Sequence, residues 1–585
     1  MMTNDGSITT FSQSSGSSQA SSCKPDKQGY FNRWMYNTQR GLLTLALVGS
    51  VIQCGNLQAA EKSGVTAMSI PDYEIKSYCV DFNWTAGGRK GQNNFAKPGE
   101  YAAADPKGLV EWHKAIGSNV IQTFCVSHNG YAWYKSDVTP PQPGLKHDFL
   151  REVVKLGHAE DMLVMGYLSI AANTRWGDEN PSLSYGSPST YHLPYTDEYL
   201  AYLDKAIRDA VTTGIDGFML DWIWQPKRSS TNGKWIDSEK KLYEQLMGEK
   251  FPGEDKLSEK KDTEYSRKAI DRCWKTIRKA AKQVNPDCAI WLTCNKLQHP
   301  HIDDSDMLKE IDWLLAESGN VKNLEKIKSF VGKHTKLIVC LAAWNNKDPA
   351  FVIPSAKENK LGLYGFCKPR TKDGRIPMDK FLSKQLTELV GDDRNIAALA
   401  RAYQGLSLES ELVDGKFVEP KVAPAYRLQI LAGGRGSANR GTNRFSNGSG
   451  EVKVNTPHRR GALLLTRLGD TWPETVNLHY WTIKREKNEK DMSAVQTVTF
   501  FNGKLGCEVA IDEKGKTRFG APKKFTINVN WARSFKVGGG DSETKPITVP
   551  FTSDKNNLKL VIPKEILTGN PETIAVAWGK RFVAK

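Results

Sequence analysis

The stretch Gly214 to Trp224, GIDGFMLDWIW, ends an apolar run in a carboxylate, Asp221, with Trp222 and Trp224 close behind. Burying an unpaired charge is costly, so an acid at that place needs a purpose. Other apolar runs end in residues of similar kind. One is followed by Asp81, Asn83 and Trp84, another by His128, Asn129, Tyr131 and Trp133, and a third by Asn173, Arg175 and Trp176. Three more lead to Asn295, Glu317 and Trp344. Carboxylates, amides, one imidazole and indole faces suit carbohydrate chemistry. Sugar hydroxyls pair with Asn, His and Asp, and sugar C–H faces pack on Trp. Glycosidic cleavage needs two carboxyl groups, one ionised and one able to protonate the leaving oxygen. Asp221 and Glu317 are the candidates. A metal hydrolase would gather several His or acidic ligands, and only His128 is well placed, so neither metal nor cofactor is expected. A serine nucleophile would ask for GxSxG, which is absent.

These residues need a scaffold that brings strand ends together. From about Tyr73 to Leu389 eight short apolar runs alternate with helical patterns: IKSYCVDF, NVIQTFCV, MLVMGYLSI, IDGFMLDWI, CAIWLTC, IDWLLAE, KLIVCLAAW and LGLYGFC. Segments such as PKGLVEWHKAIG and DEYLAYLDKAIRDAVTTG carry apolar residues at helical spacing. Strands alternating with helices imply parallel pairing, and eight such units predict an α/β fold of the (β/α)8 TIM-like barrel type, whose active site lies at the carboxyl ends of the strands. A doubly wound open sheet is the runner-up, but no GxGxxG follows the first strand. Residues Gln225 to Thr263 make a long, charged connection after the fourth strand, readable as a subsite wall or as a solvated insertion. After about Arg401 short β-rich runs with turn residues between them, such as GALLLTRL and KFTINVNWARSF, predict a C-terminal antiparallel β-sandwich. The expected division is a leader over 1–62, a catalytic barrel over 70–392 and the sandwich over 400–585.

The chain has 585 residues, 39% of them hydrophobic and 10% aromatic, which is enough for a large core. Its formal charge of +16 is spread along the sequence, and such a surface can favour acidic partners. The first 28 residues are rich in Ser, Thr and Gln and read as disordered. Arg33 and Arg40 then precede an apolar segment, Gly41 to Ile52, with small residues at Ala59 and Ala60. That is a secretory signal pattern, with Met35 an alternative start, and it predicts a secreted or periplasmic protein. The apolar run is too short for a stable membrane span. Gln53 before Cys54 argues against a lipoprotein. Because the basic residues are spread out, the plainer reading is a generally solvated basic surface; the export signal removes nucleic acid as an expected partner and leaves an oligo- or polysaccharide, which the charge allows to be anionic. None of the ten cysteines forms a CxxC pair. Cys79, Cys125, Cys288, Cys294 and Cys340 sit in or beside strand-like runs and are read as buried free thiols.

The segments VEWHKAIGSNVIQTFCVSHNGYAWYKSD, HDFLREVVKLGHAEDMLVMGYLS and YLDKAIRDAVTTGIDGFMLDWIW together resemble the α-L-fucosidase family of glycoside hydrolases. The resemblance covers about the first four βα units. The family has an HHDGF motif after its second strand, a third strand ending in YYS and a nucleophilic Asp in a WFDG-like strand end. It implies a retaining mechanism through a covalent glycosyl-enzyme, without metal. By that resemblance Asp221 matches the nucleophile, and His128 and Gly130 match the second His and the Gly of HHDGF. Ser127 and Asn129 replace its other two polar residues, and Asn83–Trp84 replaces a His-Trp pair. These departures imply a relative acting on another sugar, a sulfated fucan or an internal linkage. The acid/base varies in the family, and Glu317 is assigned to it here by position. Glu310 and Asp312 precede or begin that strand and are set aside.

Each assignment has a plainer rival. Asp221 can cap a loop, Glu317 can pair with a lysine, His128 can be a satisfied structural histidine, and Trp84, Trp133, Trp222 and Trp344 can belong to the core. The alternative to an enzyme is a non-catalytic carbohydrate-binding protein on a degenerate hydrolase scaffold.

Overall fold

The computed structural model describes residues 66–85, 95–185, 192–221, 223, 234–294, 297–317, 324–341, 349–369, 371–373 and 395–413, and shorter stretches between 416 and 578. All fall within one compact unit, Ala59–Lys585. The expected leader, together with Trp222, Trp224, Asn295 and Trp344, lies outside the described residues.

Eight parallel strands close into a barrel in chain order. They are β1 (Lys76–Val80), β2 (Val120–Val126), β3 (Leu163–Ser169), β4 (Gly217–Asp221), β5 (Ala289–Cys294), β6 (Trp313–Ala316), β7 (Lys336–Leu341) and β8 (Gly362–Cys367). Each falls within one of the eight runs read from the sequence. Such strands are buried on both faces and therefore read as continuous apolar runs. Between them lie α1 (Pro106–Ile116), α2 (Phe149–His158), α3 (Thr174–Glu179), α4 (Asp197–Val211), α5 (Asp237–Met247), α6 (Glu259–Val284), α7 (Asp306–Glu310), α8 (Leu324–Lys328) and α9 (Pro349–Glu358). In α4 the Thr196 hydroxyl accepts from Tyr199 N–H at the N-terminus, and Tyr199, Leu203, Ala206, Ile207 and Ala210 form the buried stripe. The connection after β4 is not all loop. It carries α5, and its Trp235, Leu242 and Tyr243 pack with Tyr265 of α6 in a small core.

Inside the barrel Trp291 of β5 meets Trp313 of β6 at 5.5 Å between ring centroids and Tyr364 of β8 at 5.7 Å. The Trp313 indole N–H donates to Ala67 O at 3.0 Å, which ties the segment before β1 to the barrel. Seven described cysteines are buried, including all five singled out in the strand-like runs.

At the amino ends of the strands one device recurs. Asn119, just before β2, accepts Lys76 N–H of β1 at 2.9 Å. Asp216, just before β4, accepts Val164 N–H of β3 and His158 Nε2, each at 2.8 Å. Asp312, just before β6, accepts Ile290 N–H of β5 at 2.8 Å and Lys282 Nζ at 3.2 Å. Asp72, before β1, accepts Leu337 N–H of β7 at 3.0 Å. In the first three cases a short acceptor just before one strand binds a donor on the neighbouring strand and fixes the pairing register, whereas Asp72 reaches past β8 to β7. Asp216 and Asp312 are 8% and 6% exposed, so removing either carboxylate strands a buried N–H. Asp216→Ala is expected to destabilise by about 1–3 kcal/mol. A lowered thermal midpoint, restored in part by Asp216→Asn, checks it; an unchanged midpoint contradicts the role.

A further helix, α10 (Ile396–Tyr403), lies at the expected junction of barrel and β region. The Tyr403 hydroxyl donates to Ser77 O at 2.6 Å and its carbonyl accepts Lys76 Nζ at 2.7 Å, so the helix packs beside β1. The C-terminal region is almost wholly antiparallel. One sheet runs Asn443–Ser446, Tyr426–Ala432, Gly461–Arg467, Thr573–Trp578, Phe525–Val529 and Ile547–Thr548 in spatial order. A second holds Val452–Val454, Leu505–Ala510, Ala494–Phe500 and Ile483–Lys487, and its pairing of the first two is parallel.

Candidate active site

Alternation along the strands decides which residues point inward. Tyr78 packs on Trp112 and His113 of α1 and so points out, which turns Cys79 and Asp81 in. The register Cys79–Gln122–Met165–Gly217 runs across β1 to β4. One pleat further, Phe124, Tyr167 and Met219 form the next inward row, and Asp81 extends it on the β1 side. Asp221 sits one pleat beyond Met219, paired in register with Ser169. It therefore rims the inward face at the carboxyl end.

The Tyr167 hydroxyl donates to Asp221 Oδ2 at 2.9 Å. Burial pushes the Tyr167 phenol well up, and the carboxylates of Asp221 and Asp81 push it further, so it stays a neutral donor that orients the acid. Glu317 directly follows β6, an even number of residues beyond the inward Trp313. Burial raises its carboxyl, while the neighbouring Thr293 hydroxyl draws it partly back. Thr293 pairs in register with Leu315 of β6, and the Leu220–Leu292 pair aligns it next to Asp221 on the other side. The acids set aside lie at the opposite end: Glu310 accepts the Trp274 indole N–H at 2.8 Å, and Asp312 is the register clamp described above.

The turn after β2 is assembled from the other site residues. Asn83 N–H donates to Asp81 Oδ1 at 2.8 Å, and Asn83 Oδ1 accepts His128 N–H at 2.9 Å. Asn129 Oδ1 accepts Tyr131 N–H and Gln142 Nε2, both at 3.1 Å. Gly130 has φ +88°, and a Cβ there would meet Asn173 Oδ1 at 2.2 Å, so this position requires glycine. Arg175 Nε donates to Gly130 O at 2.9 Å, its guanidinium pairs with Glu179, and it lies 6.0 Å from the Tyr131 ring. Asn129 and Arg175 thus hold the loop in shape. His128 is nearly fully buried, its ring stacked at 4.0 Å on Phe95, and Phe95 stacks in turn on Trp84 at 4.9 Å. Burial drives the His128 imidazole down to about 3, with His192 adding to the push, and burial brings His192 down to about 4. Both rings are neutral at any ordinary pH.

The tryptophans divide. Trp84 is partly exposed and carries the Lys368 ammonium 5.3 Å from its ring centre. Trp133 stacks on Phe82 at 4.5 Å and donates to Ser127 Oγ at 2.6 Å, and Trp176 packs on Tyr199 at 4.7 Å. Both of these are buried. Sequence reasoning missed Tyr167, Thr293 and Phe95. Among the described residues no cluster of three or more His, Cys, Asp or Glu is arranged to hold a metal ion.

No family model matches the chain, and no curated protein matches it in sequence. Solved structures do. An α-L-fucosidase isoenzyme 2 from Paenibacillus thiaminolyticus is 10% identical over 86% of this chain and all of its own, with a TM-score of 0.41. A Thermotoga maritima α-fucosidase in complex with fucose is 12% identical over 82% of this chain and 80% of its own, at a TM-score of 0.31. A Bacteroides thetaiotaomicron α-L-fucosidase is 12% identical over 81% of each chain, at 0.33. The solved structures to which this chain is distantly similar thus include α-L-fucosidases, the family its barrel segments resemble.

Proposed function

We propose that this protein is a secreted, retaining glycoside hydrolase that cleaves α-L-fucosidic or related linkages in a polysaccharide. The observation that carries the reading is the unlike pair of carboxyl groups at the carboxyl end of the barrel. Asp221 is oriented by a neutral phenol that donates to it, while Glu317 is raised by burial. Environments that differ in this way suit one acid to act as nucleophile and the other as proton donor. In the first step Asp221 attacks the anomeric carbon while Glu317 gives its proton to the departing glycosidic oxygen. In the second, Glu317 takes a proton from water as that water attacks the same carbon and releases Asp221.

Screening aryl glycosides and sulfated polysaccharides for hydrolysis, with the product anomer read by NMR before mutarotation, tests the reading. Retention of configuration is expected. Inversion contradicts the mechanism, and binding without hydrolysis favours the non-catalytic alternative. Because the protonated form of Glu317 is the active one in the first step, activity should fall as pH rises through its pKa. Burial moves that limb upward from the usual carboxylate range. The +16 charge is proposed to draw an acidic polymer to the surface. Affinity should then fall steeply with salt, since exposed charges are screened within about 10 Å at roughly 0.1 M; salt-independent binding contradicts it.

A further inference from the structure

We propose that Thr293 is a positioning residue for Glu317: its hydroxyl donates to the Glu317 carboxylate and keeps that acid able to serve as the base of the second step. The inference rests on the hydrolase reading of this site and assigns the group that prepares its second acid.

Trp291 and Trp313 meet inside the barrel. Two residues further along each strand the side chains face inward again, so Thr293 on β5 and Leu315 on β6 share a level. Glu317 follows one pleat higher. On the other side the Leu220–Leu292 pair sets Thr293 beside Asp221. Thr293 is 2% exposed, whereas Asp221 and Glu317 are both half-buried. The hydroxyl therefore lies beneath the two acids. It is out of a substrate's reach and acts on the reaction only through a carboxyl group.

Thr293 Oγ1 is shielded from solvent and has no partner in full hydrogen-bond geometry among the described residues. Its proton is thus not committed to a backbone carbonyl there, and the Glu317 carboxyl is close enough for the hydroxyl to draw it down against the effect of burial. Hydrogen bonds of catalytic groups commonly tighten only in the substrate complex. A hydroxyl suits the task because it donates to an ionised carboxylate without adding a charge. Donation favours the ionised form, and burial favours the neutral one. The first step needs the neutral acid and the second the ionised base, so a residue that offsets burial serves both. Among the described residues, the other titratable groups on the strands around Glu317 are Asp221 on β4 and the buried thiol of Cys340, which stands next to Glu317 on β7. Cys294, beside Thr293, faces the helices by alternation.

Thr293→Val removes the hydroxyl with little change of shape and leaves those groups in place. After a matched thermal melt, pH profiles are recorded for the wild type, Thr293→Val and Thr293→Ser on two fucosides. One has an activated aryl leaving group, so its second step limits kcat; the other has a poor leaving group, so its first step does. In Thr293→Val the acidic limb of the former and the basic limb of the latter should both move up by about 0.5–1 pH unit, the size of one hydrogen bond to a carboxyl group. Thr293→Ser should keep both limbs within about 0.2 unit of the wild type. A lower rate with unmoved limbs is a merely structural effect; it overturns the proposal while leaving the hydrolase reading intact. Should Thr293→Val not fold, Thr293→Ala is read in the same way. The second arm needs no turnover: isotope-labelled glutamate carboxyls are titrated by NMR, and the Glu317 resonance is the one missing in Glu317→Gln. Its midpoint should lie higher in Thr293→Val by the same margin. If the wild type hydrolyses neither substrate yet shows this difference, the hydrolase reading fails and the hold of Thr293 on Glu317 stands. Midpoints equal within about 0.2 unit overturn it.

Discussion

Asp221→Asn should abolish turnover while leaving the fold intact. In the proposed mechanism Asp221 supplies the covalent bond of the first step, and the amide is isosteric but not nucleophilic. Loss of a nucleophile from a concerted catalytic group costs roughly four to six orders of magnitude in kcat. The fold should tolerate the change because Asp221 ends β4 at the rim, and the amide oxygen can still accept the Tyr167 hydroxyl. Steady-state rates on a verified substrate, with circular dichroism and a thermal melt alongside, check both halves. More than a few per cent of wild-type activity removes the nucleophile assignment. Substrate binding should persist, which separates lost chemistry from a lost pocket.

Glu317→Ala has the second large effect, and its size depends on the leaving group. An activated aryloxide departs without a proton, so such substrates should lose little in the first step and accumulate as glycosyl-enzyme. Natural linkages and poor leaving groups need the proton and should slow by about 100-fold to 10,000-fold. Added azide should restore part of the lost rate, because a small anion attacks the intermediate without base assistance, and the product is then the glycosyl azide of retained configuration. The upward-shifted pH limb assigned to Glu317 should vanish in the variant. A uniform loss across leaving groups, with no azide effect, moves the acid/base role to another residue. A structure with the two carboxyl groups more than about 10 Å apart has the same force, since retaining pairs stand about 5–5.5 Å from each other.

The strands were legible because parallel strands covered on both sides must be apolar along their length, and the helices between them must show one buried stripe. The acids at strand starts were legible only in hindsight. ID before GFM and ID before WLL look alike because Asp216 and Asp312 hold neighbouring strands in the same way. In the site, Asp221 stood out through contrast, a charge at the end of an apolar run. Tyr167 did not, because a tyrosine within a strand has the same look whether it faces helices or pocket; its direction follows only from the register with β2 and β4. The tryptophans show the same limit. Trp291 and Trp313 fill the barrel and Trp133 packs on Phe82, whereas Trp84 stays partly exposed. Composition alone could not separate these uses. Asn129 and Arg175 were singled out for polarity, and the structure engages both in turns around Gly130, a demand set by close backbone approach that one-dimensional spacing hides.

The central claim is that Asp221 becomes covalently bonded to the sugar during turnover. A 2-deoxy-2-fluoro glycosyl fluoride of the preferred sugar slows both steps but keeps a good leaving group, so it should trap that bond. Intact-mass analysis followed by peptide mapping is the direct measurement. One added fluoroglycosyl group per chain is expected, located on Asp221, absent in Asp221→Asn and lost again as activity returns. Turnover of the parent substrate with no adduct, or an adduct on any other residue, contradicts it.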